Sequence, residues 1–108
     1  MTNSGLPKLI QMGEKYIIDW LTENGYCDII KEPLQLNQEG FMATGKLENI
    51  LVQARFFLHP HKPYKLSDYE MDLLTRRAIK LGSIAYAAYL VLDEAGKLVN
   101  EIIWERLV

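Results

Sequence analysis

The amino-acid sequence predicts a single α/β domain, in which a central mixed β-sheet is flanked by two helices. Its 108 residues match the usual size of one domain, so residues 1–108 are assigned to one unit. Apolar residues recur at helical spacing near residues 6–24 and 67–82, and a glycine closes each segment. Runs rich in β-branched and aromatic residues lie between and after these segments. The resulting order is α-β-β-β-α-β-β, and a crossover helix within it implies a mixed sheet.

The first helix is predicted from about Leu6 to Asn24, with Gly25 as its stop signal. Its apolar face consists of Leu9, Ile10, Tyr16, Ile17, Trp20 and Leu21. Gly13 belongs to the same face, so we expect the helix to lie close to the sheet at that point.

Three strands are predicted next. The first covers Tyr26–Glu32 and is ended by Pro33, because proline cannot donate to a β-ladder. Residues 34–39 are compatible with a strand end or a loop, and the second strand is predicted over Phe41–Leu47. The third strand covers Ile50–Leu58 and has the composition of a central strand.

The third strand has two unequal faces, because successive side chains alternate across a sheet. One face consists of Ile50, Val52, Ala54 and Phe56, and the other of Leu51, Gln53, Arg55 and Phe57. Gln53 and Arg55 are polar residues in a strand that otherwise looks buried. One interpretation is a buried cluster in which Arg55 forms a salt bridge with Glu14 and Gln53 bonds nearby, since buried polar groups need partners.

The second helix is predicted to begin at Ser67, which forms the pattern of a capping box with Glu70, and to end at Gly82. Its apolar face consists of Met71, Leu74, Ala78 and Leu81.

The end of the chain is predicted as two further strands. The first covers Ile84–Leu92, and a turn at Asp93–Gly96 leads into a final strand over Lys97–Val108. The final strand is apolar and comes late in the chain. We therefore expect an exposed edge that pairs with a second copy and gives a homodimer.

The formal net charge of −2 argues against a wholly basic nucleic-acid coat protein. The charge is uneven, however. Residues 53–80 contain six basic and three acidic residues, a net charge of +3, and the remainder sums to −5. This local basic zone is compatible with a site that faces phosphates and equally with an ordinary solvated surface.

The composition also predicts where the protein works. No apolar run approaches the ~20 residues that span a bilayer, and the first residues lack the segments of a signal peptide. Cys27 is the only cysteine, so no internal disulfide forms, and we expect it to be a small core residue. His59 and His61 have no further ligands in view, so no metal site is predicted. These observations favour a cytoplasmic protein that does not contact membranes.

The sequence contains no nucleophile elbow and no phosphate-binding glycine loop. Three of its stretches do resemble a known family. They are Gly13-Glu14 with Gly25-Tyr26, then Gly40-Phe41-Met42-Ala43, then Val52-Gln53-Ala54-Arg55. In these stretches and in an α-β-β-β-α-β core, the chain resembles the PD-(D/E)XK nuclease superfamily, which has the restriction-endonuclease-like fold. It is especially similar to the small stand-alone bacterial members, including the Holliday-junction-resolvase-like ones. The resemblance implies carboxylates that bind Mg²⁺ and a lysine that positions or activates water.

The catalytic positions implied by the resemblance are altered in this chain. Glu14 matches the helix carboxylate, Ala43 stands at the aspartate position, and Gln53 and Arg55 stand at the (D/E)-X-K positions. Alanine offers no ligand atom, an amide is a poor Mg²⁺ ligand and arginine keeps its proton. We therefore expect a nuclease-fold protein that is catalytically inactive and uses no cofactor.

Binding is the function that survives the loss of catalysis. The residues able to engage phosphates of DNA or RNA are Arg55, Lys62, Lys65, Arg76 and Lys80. Such contacts give affinity without sequence preference and weaken as the salt concentration rises.

Two other functions stay open. An active, Mg²⁺-dependent endonuclease needs at least two displaced carboxylates close together, drawn from Glu14, Asp28, Glu39 and Glu48. A protein-interaction or assembly domain with no nucleic-acid role would instead use the apolar C-terminal strand.

Overall fold

The computed structural model describes residues 5–34 and 37–107, with side chains described from residue 8 onwards. Within these ranges the elements are α1 (Gly5–Glu23), β1 (Cys27–Pro33), β2 (Gln38–Thr44), β3 (Asn49–Leu58), α2 (Asp68–Lys80), β4 (Ser83–Leu92) and β5 (Ile103–Leu107). Their order confirms the predicted α/β fold class. Expectations that concern residues 1–4, 35–36 and 108 lie outside the described residues. Neither α1 nor α2 is long and apolar enough to cross a membrane.

The five described strands form one mixed sheet in the order β1-β2-β3-β4-β5. β1, β2 and β3 form an antiparallel meander. The chain then crosses over through α2, so β4 runs parallel to β3, and β5 returns antiparallel to β4. This arrangement leaves β1 and β5 as the edges of the sheet and puts β3 at its centre.

Each face of the sheet carries its own apolar core, and the alternation predicted for β3 is confirmed. The face toward α1 packs Val52, Ala54 and Phe56 against helix residues such as Ile17 and Leu21. The opposite face packs other residues, Leu51, Phe57, Leu74, Ala78 and Tyr89 among them, beneath α2. The polar residues Gln53 and Arg55 interrupt this second face.

The close approach of α1 to the sheet is confirmed at Gly13. A Cβ atom added there would overlap the ring of Phe56 and lie 3.2 Å from Leu92 Cδ1. A helix residue without a side chain is therefore needed where α1 crosses the centre of the sheet.

The capping box of α2 is also confirmed. Ser67 is the N-cap, its side chain accepts the Glu70 N–H at 3.1 Å, and Glu70 Oε1 accepts the Ser67 N–H at 2.8 Å. Leu74 and Ala78 are buried as predicted, but Leu81 is 46% exposed because it caps the helix end beside Gly82.

Two strands differ from the prediction by more than one residue. β2 begins and ends three residues earlier, because its register pairs Gln38 with Arg55 and Thr44 with Asn49 along most of the length of β3. The predicted final strand is broken. Only Ile103–Leu107 forms β5, and Leu98 makes an isolated bridge to Leu92 before the chain leaves the ladder.

The expectation that Cys27 is a core residue is wrong. Cys27 is exposed, because β1 is an edge strand that packs few side chains into the core. A bulge between Cys27 and Ile30, in which Asp28 adopts a φ of 52°, distorts the ladder with β2 at this point.

Candidate functional site

A polar cluster lies between the sheet and α2. The ladder pairs Gln38 with Arg55 and Gly40 with Gln53. Residues two apart on a strand share a face, so Gln38, Gln53 and Arg55 project toward α2 together. The first turn of α2 adds Glu70 to them. These four side chains, Gln38, Gln53, Arg55 and Glu70, are called the α2-side cluster below.

Arg55 is the centre of the α2-side cluster and is only 5% exposed. Its Nε donates to Gln38 Oε1 at 3.2 Å, and its Nη2 donates to Glu70 Oε2 at 2.5 Å. Its Nη1 donates to the backbone carbonyls of Tyr64 at 3.3 Å and Lys65 at 3.1 Å. Every nitrogen of the guanidinium group therefore has an acceptor inside the protein, which is the condition for burying a charge.

The remaining members of the cluster are equally engaged. Gln53 Nε2 donates to Gln38 Oε1 at 2.5 Å. Glu70 bridges the cluster and the helix cap, and its pKa lies below the usual 4.5 because its carboxylate accepts the Ser67 backbone N–H and also faces Arg55. The α2-side cluster is thus closed, with each charge matched by an opposite charge or a hydrogen bond.

This geometry changes the predicted partner of Arg55. The expected salt bridge between Arg55 and Glu14 is wrong, because the two residues belong to opposite faces of the sheet and Arg55 pairs with Glu70. Ala43 is buried against α1, on the face opposite Gln53 and Arg55. The residues assigned to the family's aspartate and (D/E)-X-K positions are therefore not brought together.

A second polar cluster lies on the α1 side of the sheet. Glu39 of β2 faces α1, and the Glu14 carboxyl on the helix is near enough to raise the pKa of the Glu39 carboxyl group. Lys31 of β1 donates to Glu14 Oε1 at 3.0 Å. Glu14, Lys31 and Glu39 are called the α1-side cluster below, and they carry two carboxyl groups for one ammonium group.

The charge in the α1-side cluster is not fully matched. Glu39 is 6% exposed, and its Oε1 atom is buried without a hydrogen-bond partner among the described residues. Burial and the neighbouring Glu14 carboxyl together raise the pKa of Glu39 from 4.5 to about 7, although the charge of Lys31 acts in the opposite direction. At neutral pH this carboxyl group is therefore partly protonated.

The other candidate carboxylates do not join this pair. Asp28 is exposed in the bulge of β1, and Glu48 accepts from the Tyr86 hydroxyl at 3.0 Å and pairs with Arg106. Across residues 5–34 and 37–107, no group of three or more histidine, cysteine, aspartate or glutamate side chains is arranged to hold a metal ion.

Most of the predicted phosphate-binding residues are exposed, and two of them have acidic neighbours. Lys65 is exposed and pairs with the half-buried Glu105 at 2.8 Å, and the exposed Arg76 pairs with the exposed Asp72 at 3.0 Å. In the described part of the chain, Lys62 and Lys80 form no ion pair. Arg55 differs from the rest because it is buried and its donors are occupied.

The 59–66 loop (residues 59–66) joins β3 to α2 and brings Lys62 and Lys65 to the surface. It is fixed at both ends. The His59 N–H donates to the Leu92 carbonyl at 2.8 Å, and the Leu66 N–H donates to the Tyr89 hydroxyl at 3.0 Å. The loop borders a cavity of about 650 Å³ at the carboxyl end of β3.

That cavity combines an apolar wall with basic groups. Its apolar lining includes Leu9, Met12, Phe57, Leu58 and Tyr64, and its polar lining is Lys8, Asn37, His61, Lys62 and Glu94. Pockets of this size are typical of small-molecule recognition.

Sequence reasoning misses three residues of these sites. Gln38 lies outside the predicted second strand, Lys31 belongs to no motif, and Tyr64 lies in a segment predicted only as a loop. Gln38 could have been found from the alternation of β3. The alternation puts Arg55 on a buried face, and a buried arginine requires hydrogen-bond acceptors, which a neighbouring strand can supply.

Comparisons with known proteins assign no family to this chain. A scan against protein-family models found no match, and a search of curated proteins also found none.

Proposed function

We propose that this chain is a nuclease-fold protein that binds nucleic acid and does not hydrolyse it through a metal centre. The observation that carries the proposal is the α2-side cluster. The residues that resemble the family's (D/E)-X-K motif are Gln53 and Arg55, and both are committed to internal hydrogen bonds. A neutral amide and a permanently charged guanidinium group are poor ligands for a hard cation.

The 59–66 loop supports the binding half of the proposal. The chain from residue 53 to residue 67 contains no acidic residue, and it presents Lys62 at the cavity and an exposed Lys65 three residues further on. Lys65 pairs with the half-buried Glu105, but its own side chain is 68% exposed, so its ammonium group can also face a phosphate in solvent. These positions fit backbone contacts of the kind that do not depend on base sequence.

The test is a titration of labelled DNA at several salt concentrations. We expect the affinity to fall as salt rises, and the double variant Lys62→Ala, Lys65→Ala to reduce the slope of log K against log salt by about 0.7–0.9 for each phosphate that it no longer neutralises. Lys46→Ala is the matched control, since Lys46 is exposed in the turn at the other end of β3. Affinity that is insensitive to salt, or equal effects of both variants, contradicts the proposal.

A second candidate function is metal-dependent phosphodiester hydrolysis at the α1-side cluster. It is favoured by one observation: two of the four candidate carboxylates, Glu14 and Glu39, meet beside Lys31. Mg²⁺ is often held by one or two carboxylates and several waters, so the pair is sufficient in number. Lys31 competes with a cation for the same oxygen atoms, which weighs against this candidate.

Calorimetry with Mg²⁺ and Mn²⁺ separates the two candidate functions. The hydrolytic candidate requires binding heat that disappears in Glu14→Gln and Glu39→Gln and persists in Asp28→Asn, an exposed control position that tolerates asparagine at positive φ. Cleavage of DNA that depends on the same two glutamates would replace our first proposal. We expect neither metal binding nor cleavage.

A further inference from the structure

We infer that Tyr64 is a stacking platform for an unpaired base, and that the nucleic acid bound by this protein is single-stranded. The inference rests on the proposed function and names its substrate class. Lys62 and Lys65, close to Tyr64 in the same loop, hold the phosphates next to the stacked base. Single strands are commonly bound in this way, through aromatic rings that meet base faces and through basic groups that follow the backbone.

Tyr64 is exposed in a loop that is otherwise well anchored. The residue is 60% exposed, although its loop is fixed to β4 at both ends. A large, exposed aromatic side chain in an ordered loop is a surface available for contact.

The ring of Tyr64 is supported by two neighbours. The Phe57 ring meets it edge-on, with centroids 5.1 Å apart and an interplanar angle of 72°. The Arg55 guanidinium lies over the ring, 5.0 Å from its centroid, and Arg55 also bonds the Tyr64 carbonyl. Arg55 and Phe57 therefore hold both the backbone and the ring of Tyr64, so little side-chain freedom is left to lose on binding.

A cavity lies beside the ring. Tyr64 forms one wall of the cavity of about 650 Å³, whose other apolar walls include Phe57 and Leu58, and Lys62 stands at the same cavity. A flat, largely apolar group that is attached to a negative charge matches these surroundings. A nucleotide with its base unstacked has this chemistry, whereas a base inside a duplex has both faces covered.

The experiment measures fluorescence anisotropy of a labelled single-stranded DNA and of the same DNA as a duplex. We expect the single strand to bind more tightly to the unaltered protein. Tyr64→Ala is expected to weaken single-strand binding about 5- to 150-fold, the range for removal of one base–aromatic stack, while duplex binding changes little. Tyr64→Phe keeps the ring and should bind like the unaltered protein.

Two further variants separate stacking from other effects of the substitution. Tyr69→Ala removes a tyrosine that is 72% exposed on α2, and it should leave binding unchanged. Tyr64→Leu retains apolar packing against Phe57 without an aromatic face, so it should lose affinity as Tyr64→Ala does while keeping its thermal unfolding temperature.

The possible failures can be told apart. Suppose that Tyr64→Leu binds the single strand as tightly as the unaltered protein, whereas the variant lacking Lys62 and Lys65 binds weakly. The inference that Tyr64 stacks on a base is then wrong, and the proposed function stands. Equal affinity of the unaltered protein for duplex and single strand also overturns the platform. If neither DNA form binds to the unaltered protein, the inference and the proposed function fail together.

Discussion

The two polar clusters lie on opposite faces of the same sheet and differ in how their charges are balanced. In the α2-side cluster, Arg55 has an acceptor for each guanidinium nitrogen, and Glu70 is held by both Arg55 and the helix cap. In the α1-side cluster, Lys31 pairs with Glu14, and Glu39 keeps a buried oxygen that has no partner among the described residues. The α2-side cluster is therefore a closed network of hydrogen bonds, whereas the α1-side cluster keeps a buried acceptor without a donor.

The difference gives the clusters opposite responses to pH. The pKa of Glu70 is lowered in the folded protein, so its contribution to stability is present above pH 4.5 and is lost as the pH falls. The pKa of Glu39 is raised to about 7, so the folded protein holds that proton more tightly than the unfolded chain. Its contribution is therefore fully present below about pH 4.5 and is lost as the pH rises toward 7.

We expect the greatest loss of stability when Glu70, the counter-charge of Arg55 in the α2-side cluster, is removed. Glu70→Ala leaves the Arg55 guanidinium buried without its counter-charge and also removes half of the capping box. We expect a loss of about 3–4 kcal/mol in the free energy of unfolding, measured by urea denaturation at pH 7.

Glu70→Gln is the matched control for that loss. Glutamine retains the reach needed to accept the Ser67 N–H, so it removes the charge and keeps the cap. The loss in the free energy of unfolding caused by Glu70→Gln should be smaller than the loss caused by Glu70→Ala. If both variants are as stable as the unaltered protein, Arg55 does not depend on Glu70 and the network is not closed in the way described.

A smaller effect of opposite sign is expected at Glu39. Glu39→Gln replaces a buried carboxyl group with a neutral group of the same shape, so the variant should be more stable at pH 8 by an amount on the order of 2 kcal/mol. Near pH 4.5 the two proteins should be almost equally stable. The measurement is the free energy of unfolding at several pH values between 4.5 and 8.

Lys31→Met serves as the control on the same side of the sheet. Lys31 is largely exposed, so the loss of its pair with Glu14 should change stability little near pH 4.5. Because Lys31 lowers the pKa of Glu39, its removal should shift the fall in stability to higher pH. A Glu39→Gln variant that is less stable throughout the range would show that the α1-side cluster needs the charge.

Parts of the candidate site were predictable from local sequence rules. The capping box at Ser67 and Glu70 follows from residue spacing alone, and the shared face of Gln53 and Arg55 follows from strand alternation. Gln38 was not predicted, because the start of β2 depends on pairing with β3 along most of its length. The homodimer expected through the C-terminal strand stays a prediction, although β5 is an edge of the described sheet.

Local sequence accounts for the order of elements, the face on which each residue of β3 projects and the close approach of α1 to the sheet at Gly13. These features depend on periodicity and on residue size, which act over a few neighbouring positions. Three features depend on the folded arrangement: Arg55 pairs with Glu70, Glu39 lies near Glu14, and Tyr64 is held by Arg55 and Phe57. Most of those contacts join different elements of the chain, and their strength depends on burial, which the assembled sheet and helices create.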